Sequence, residues 1–231
     1  VRLIIGNFSG RGGEGTFVRR ADQPQSLLAS GNIAPDKVAA NWLVKDIADI
    51  PSSRVREVRI DSQGKVLRVY KDNASEANYR VADLPKGSEA ASEFVANGFA
   101  SVLSGLRFDD VLPVAAATPG DARVWTSTYA MFDGLAVTAT AWEKDGKDYA
   151  TFVATLDEAV AGTHIEAAQA VERAQFEQIK AENAAAAAAA AEKDPKAEVA
   201  PSPEPPLAVA DPGKDRDNRL AVLRTEVETL N

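Results

Sequence analysis

The stretch Asp133-Gly134-Leu135-Ala136-Val137-Thr138-Ala139-Thr140-Ala141-Trp142-Glu143-Lys144-Asp145-Gly146 decides the fold class. Leu135, Val137, Ala139 and Ala141 alternate with Ala136, Thr138, Thr140 and Trp142, as in a strand with two unlike faces. Asp-Gly at each end supports the positive φ angles of tight hairpin turns at little steric cost. Residues 123–132 and 147–156 flank the stretch with the same β-branched and aromatic character. An antiparallel meander over 123–156 is therefore predicted.

Toward the N-terminus the same punctuation continues. Residues 54–61 and 65–71 are rich in Val, Ile, Leu and Tyr and are separated by Ser62-Gln63-Gly64, a second hairpin. Residues 78–82 add another strand. Val1-Arg2-Leu3-Ile4-Ile5, a glycine-rich loop, Gly15-Thr16-Phe17-Val18-Arg19-Arg20 and residues 25–30 give three more. Two segments break this pattern. Residues 35–45 read as a short helix with Val38, Trp42 and Leu43 on one side. Residues 88–105 read as a longer one, with Ser88 as cap, Glu89 in the first turn and Gly105 at the stop. Its Phe94, Val95, Phe99, Val102, Leu103 and Leu106 recur at three- and four-residue spacings and define one apolar face. Burying such a Phe or Leu stabilises the fold by about 1.5–3 kcal/mol, so this helix is expected to lie on a sheet.

Composition separates the remainder. Residues 1–157 hold all three Trp and all four Tyr, with 18 basic and 20 acidic side chains. Residues 158–231 have 8 basic and 14 acidic side chains, a single aromatic (Phe176) and 20 Ala. Cores are made from aromatic and branched aliphatic side chains. The body is accordingly placed at 1–157, as two similar strand–helix units of about 1–87 and 88–157. Residues 158–194, with eight consecutive alanines at 184–191, form an Ala-rich helical arm. Large apolar residues are too few there for a strong coiled coil. Residues 195–217 form a Pro-rich, extended linker, and 218–231 form a C-terminal helix able to dock back through Leu220, Leu223, Val227 and Leu230. The fold class is α+β: antiparallel sheets with hairpins, a packed helix and a long helical arm.

The same counts narrow the chemistry. Without Cys there is no disulfide, thiol nucleophile or thiolate metal site, and one His removes most zinc and His-base schemes. A net charge of −8 opposes nucleic-acid binding, which needs a basic face. No run of about 18 strongly apolar residues is present to span a bilayer.

Individual motifs mostly have structural readings. Gly10-Arg11-Gly12-Gly13-Glu14-Gly15 fits G-x-G-x-x-G, but a strand pattern follows it. Without a helix there, backbone N–H groups do not converge on a phosphate. Asp133 and Asp145 are explained by their turns, and Asp109-Asp110 lacks a calcium-loop pattern. His164 has no Ser or Asp partner motif. Trp42, Trp125 and Trp142 could stack a sugar, though packing is their default role. Arg19, Arg20, Arg54, Arg56 and Arg59, with Arg68, form a basic cluster in sequence. The first five are the candidate partner-binding residues. The competing reading is solvated strand edges whose charge discourages aggregation.

Several stretches resemble a bacterial family known as domain of unknown function 4340. Leu3-Ile4-Ile5-Gly6, a loop and Gly15-Thr16-Phe17-Val18-Arg19-Arg20 are similar to its strand–loop–strand opening. Asn41-Trp42-Leu43-Val44-Lys45-Asp46-Ile47 and Arg54-Val55-Arg56-Glu57-Val58-Arg59-Ile60 resemble its later segments, as does 93–106 followed by Arg107-Phe108-Asp109-Asp110-Val111. In looser form the likeness continues through Phe132-Asp133-Gly134-Leu135. The family supplies no catalytic residues. What the resemblance implies is a location at the periplasmic face of the bacterial inner membrane, near ABC-type or gliding-associated transport components. A membrane tether is then expected outside the present sequence. The absence of Cys is compatible with that compartment.

The sequence thus leads to an expected non-enzymatic extracytoplasmic binding or scaffold module of an envelope or ABC-type transport complex. Its expected partner is an envelope or transporter protein; no nucleic acid, catalytic residue, metal or cofactor is expected. The alternative is a small-ligand receptor or hydrolase-like enzyme with a carboxylate and arginine pocket.

Overall fold

A side chain at Gly15 would bring its Cβ within 2.5 Å of the Ala29 carbonyl oxygen. Only glycine lets the neighbouring strand approach that closely. This contact belongs to the first of two compact units in a computed structural model that describes residues 2–9, 14–84, 92–193 and 201–231. The units are Val1–Lys45 with Asp109–Val111, and Asp46–Phe108 with Leu112–Asn231.

The first unit is an antiparallel sheet in the order β1 (Leu3–Ser9), β2 (Gly15–Arg20), β3 (Ser26–Ser30). Ile5 faces Val18, Val18 faces Leu27 and Phe17 faces Leu28. Thr16 is buried, donating from Oγ1 to the Gly31 carbonyl at 2.9 Å and accepting from the Ile33 N–H at 2.8 Å. The helix expected over 35–45 reduces to a single 3₁₀ turn, Ala39–Trp42. Asp36 explains why. Its carboxylate accepts from the Val38 N–H and from Asn41, and its carbonyl accepts from the Trp42 indole. These local bonds hold a turn that competes with the helical ladder. Val38, Trp42 and Leu43 are all exposed, so the expected apolar side is not buried.

In the second unit a short pair, β4 (Asp46–Ala48) with β8 (Leu106–Arg107), accompanies a six-stranded antiparallel sheet. The sheet contains β5 (Val55–Ser62), β6 (Lys65–Tyr70), β7 (Arg80–Val81), β9 (Val124–Met131), β10 (Leu135–Lys144) and β11 (Lys147–Leu156). Its order is β11-β10-β9-β5-β6-β7. Both expected hairpin groups are present. The β5–β9 pairing fuses them, with Val58 opposite Tyr129 and Ile60 opposite Ser127. One sheet therefore runs across the division expected near residue 87.

The core lies on one face of this sheet. Val58, Val69, Tyr129, Met131, Leu135, Val137 and Ala154 are buried there. Helix α1 (Glu93–Ala100) covers part of that face, with Ser92 capping it by accepting from the Val95 N–H at 3.3 Å. Ser88 and Glu89, expected as cap and first turn, lie outside the described residues. The buried face also differs from the expected one. Ala96, Ala100 and Leu103 are buried and Phe99 and Leu106 pack partly, whereas Phe94 is 85% exposed and Val95 and Val102 are exposed. Small alanines let the helix backbone come close to the sheet. Gly105, at φ +63°, ends the segment as expected and donates its N–H to Asp49 at 2.9 Å.

Helix α2 spans Glu158–Lys193. Ala161, Ile165 and Gln169 fall on one side at four-residue spacing and are buried, and among the described side chains of α2 none beyond Gln169 is. A short helix, α3 (Leu207–Ala210), precedes α4 (Pro212–Leu230). Thus α4 starts six residues inside the expected linker, because Asp211 caps it through the Lys214 N–H and Pro212 suits its first turn. Leu220 and Leu223 meet Ala161, Ile165 and Leu156, while Val227 and Leu230 reach the main core. Among the described residues no helix is long and apolar enough to cross a membrane.

Candidate functional site

Of the five arginines singled out from the sequence, Arg54 is built into the fold. Its two terminal nitrogens donate to the two oxygens of Glu226, each at 2.7 Å, and its Nε donates to Asp133. Glu226 first, and then Asp133, holds the guanidinium more firmly protonated than usual, against the opposing effect of burial. Arg54 thereby ties the start of β5 to the β9–β10 turn and to α4. Arg59 lies opposite Arg68 across β5–β6, and Arg68 reaches Glu57 at 2.8 Å. Arg56 is exposed and lines a cleft. In the first unit Arg19 donates to the Gln23 carbonyl at 3.1 Å and Arg20 pairs with Asp22 at 3.0 Å. Among the described residues Arg54, Arg56 and Arg59 therefore do not converge on one pocket.

The remaining sequence candidates are also dispersed. Residues 10–13 of the glycine-rich loop lie outside the described residues, and the segment from Gly15 is strand β2. Asp110 accepts from the Val111 N–H, and Asp133 from the Leu135 N–H. Asp145 sits at φ +54° in its turn. Trp125 lies under the Arg123 guanidinium, and Trp142 is buried and stacked on Tyr149 at 6.1 Å. The β9–β10 register, with Trp125 opposite Ala141 and Trp142 opposite Val124, puts these two Trp on opposite faces. Trp42, in the first unit, is 68% exposed. Among the described residues no group of three or more His, Asp or Glu is placed to hold a metal ion.

His164 borders two clefts that open broadly to solvent, of about 270 Å³ beside Asp133 and Arg219 and about 500 Å³ beside Arg56 and Thr163. The charges around them are engaged in joining helices. Arg219 holds Glu172 at 2.7 Å and Asp215 at 2.8 Å. Gln169 donates to Asp215 and to the Pro212 carbonyl. Burial alone would raise the Asp215 pKa, but the hydrogen bonds from Gln169 and Arg219 outweigh it and lower it. Arg224 bonds Glu158 at 2.8 Å and lowers its pKa. These side chains clamp α4 to α2.

Among the described residues, a group of exposed apolar side chains lies on the sheet of the first unit. Alternation along paired strands puts Leu3, Ile5, Phe8 and Leu27 on one face of the β1–β3 sheet and Ile4, Phe17 and Leu28 on the other. All seven are exposed, Leu27 by 58% and Phe17 by 46%. Arg20 shares the first face and Arg19 the second. Contiguous exposed apolar side chains rimmed by charge are one signature of an interaction surface. Sequence reasoning did not select these apolar residues. The available signal was adjacent apolar pairs, Ile4-Ile5, Phe17-Val18 and Leu27-Leu28, which occupy both faces of a strand at once.

Residues 1–124 match the family described as Domain of unknown function (DUF4340). The match covers more than half of the 231 residues, and the chain belongs to that family. No curated protein and no solved structure matches the chain. The matched region contains the β1–β3 sheet and ends at Val124, the first residue of β9.

Proposed function

We propose that this member of the DUF4340 family is a non-enzymatic binding or scaffold module of a bacterial envelope or ABC-type transport complex. It works at the periplasmic face of the inner membrane, with a tether outside the present sequence. The observation that carries this reading is the sheet β1–β3, whose two faces both present exposed apolar side chains. Sheets ordinarily bury at least one face, and burying a Phe or Leu is worth about 1.5–3 kcal/mol. A protein partner that covers Phe17 and Leu28, or Ile5 and Leu27, recovers that free energy. Arg19, on the Phe17 face, suits an acidic side chain at the rim of such an interface, while Arg20 on the other face is held by Asp22.

The test is recovery of partners from bacterial membranes in mild detergent, using the full-length protein with and without Phe17→Glu and Leu28→Glu together. The reading expects a defined envelope or transporter protein with the unmodified chain. That protein is lost from the double variant, whose unfolding transition is preserved. Equal recovery by both, or no protein partner with either, contradicts it.

A further inference from the structure

Strand β11 stands at the end of the six-stranded sheet and pairs with β10 in unbroken register, from Leu135 opposite Leu156 to Lys144 opposite Lys147. The two-residue Asp145-Gly146 turn makes Lys144 and Lys147 a hydrogen-bonded pair. Alternation then turns the N–H and C=O of Tyr149, Thr151 and Val153 toward β10. Those of Asp148, Ala150, Phe152 and Ala154 point outward. Asn231 fixes the same phase independently. Its Oδ1 accepts from the Ala154 N–H at 2.8 Å, and its Nδ2 donates to the Ala154 carbonyl at 3.1 Å. A carboxamide carries the donor and acceptor of a peptide group, so this edge already holds one peptide-like partner.

The outward groups of Asp148, Ala150 and Phe152 have no hydrogen-bond partner among the described residues. This part of β11 contains no proline, glycine or bulge, and residues 149–156 carry no charge. From Tyr149 to Phe152 the edge has none of the charge, proline or bulge that usually blunts an exposed edge.

We infer that the edge takes a second copy of this chain, with β11 pairing antiparallel to its counterpart about a twofold axis at Ala150. Asn231 occupies Ala154 at one end and the Gly146 turn closes the other. The open groups therefore form a set symmetric about Ala150. Under the twofold, Ala150 meets its own copy, Asp148 meets Phe152 and all six open groups are satisfied. Tyr149 falls opposite Thr151 and Lys147 opposite Val153, so no like charges face each other. The two Asp148 carboxylates stand four residues apart along the strands, about 13 Å. That exceeds the screening length of about 8 Å at physiological salt. The opposite sheet edge is the two-residue β7, so the assembly closes as a dimer.

Light scattering on size-exclusion fractions, at physiological ionic strength over a range of concentrations, tests this. The unmodified chain shifts to twice its single-chain mass as concentration rises. Ala150→Pro removes one outward N–H and no bond to β10, so it keeps the fold and weakens dimerisation at least tenfold. In the unmodified chain, amide exchange at Asp148, Ala150 and Phe152 slows as concentration rises, whatever the variant does. A single-chain mass at every concentration overturns the inference. So does an Ala150→Pro dimer of unchanged affinity, or exchange at those amides that ignores concentration. Phe17→Glu with Leu28→Glu leaves this dimer intact, which separates it from the proposed partner surface.

Discussion

Arg54 and Glu226 stand 172 residues apart in the chain and share two parallel hydrogen bonds of 2.7 Å. Such fork-to-fork pairing fixes geometry as well as charge. Through it, the entry to β5 is held against the last turns of α4, and Asp133 adds the β9–β10 turn to the same joint. Arg54→Ala leaves two half-buried carboxylates facing each other and is expected to cost about 2 kcal/mol in denaturant unfolding. Arg54→Lys keeps the charge but not the fork, and restores less than half of that loss.

Gly134 has φ +87°, and a Cβ there would lie 2.5 Å from the Asp157 carbonyl and 2.8 Å from the Ala161 nitrogen. Both are backbone atoms at the start of α2, and neither can move alone. Gly134→Ala combines a left-handed backbone with a steric clash and should destabilise by about 3 kcal/mol. Gly146→Ala has a similar φ but meets nothing within 4 Å, so it should cost about 1 kcal/mol. Thermal unfolding of the two variants distinguishes them.

Helix α1 offers a comparison within one element and its following turn. Leu103 is fully buried and Phe94 is 85% exposed. Leu103→Ala is expected to lose about 3 kcal/mol by urea titration, and Phe94→Ala less than about 0.5. The opposite ranking would mean that the helix presents its larger side chains to the sheet.

The pH dependence has two limbs. Asp215 and Glu158 have native pKa values below their ordinary ones. Their contribution is therefore complete above the unfolded carboxylate range near 4 and disappears as pH falls through the lower native values. Tyr79 is the reverse case. Burial pushes its hydroxyl from 10.0 up to about 12. Its contribution is complete below pH 10 and is lost as pH rises from 10 toward 12. Denaturant midpoints should stay level from pH 6 to 8 and decline on both sides. Asp215→Asn should make the acid limb shallower, and Tyr79→Phe the alkaline one.

Much of the fold was legible in local sequence because local chemistry determines it. Asp145-Gly146 and Gln63-Gly64 adopt the positive φ angles that two-residue hairpins need, and the four strands β5, β6, β10 and β11 follow. The resemblance to the DUF4340 family was readable from short stretches as well, and residues 1–124 match it. Elements decided by side-chain bonding, close packing or distant contacts were less readable. Asp36 converts an expected helix into a turn with side-chain bonds that compete with the backbone. In α1 the spacing of Phe94, Val95 and Val102 suggested the buried side. Close approach instead selected Ala96 and Ala100, which carry little hydrophobic signal. Arg54 looked like a surface cation because its partners lie 79 and 172 residues away. Asn231 gives no local hint that it would pair with β11. The exposed sheet was written in adjacent apolar residues, but their exposure is a property of the folded chain.

The proposed function requires the β1–β3 sheet to be a surface that another protein covers. A photoreactive phenylalanine analogue at position 17 of the full-length protein, activated in living bacteria, tests this most directly. The predicted result is one dominant covalent adduct with an envelope or transporter protein, abolished by Ile4→Glu with Leu28→Glu on the same face. Efficient incorporation with no protein adduct, or an adduct indifferent to those substitutions, would contradict it.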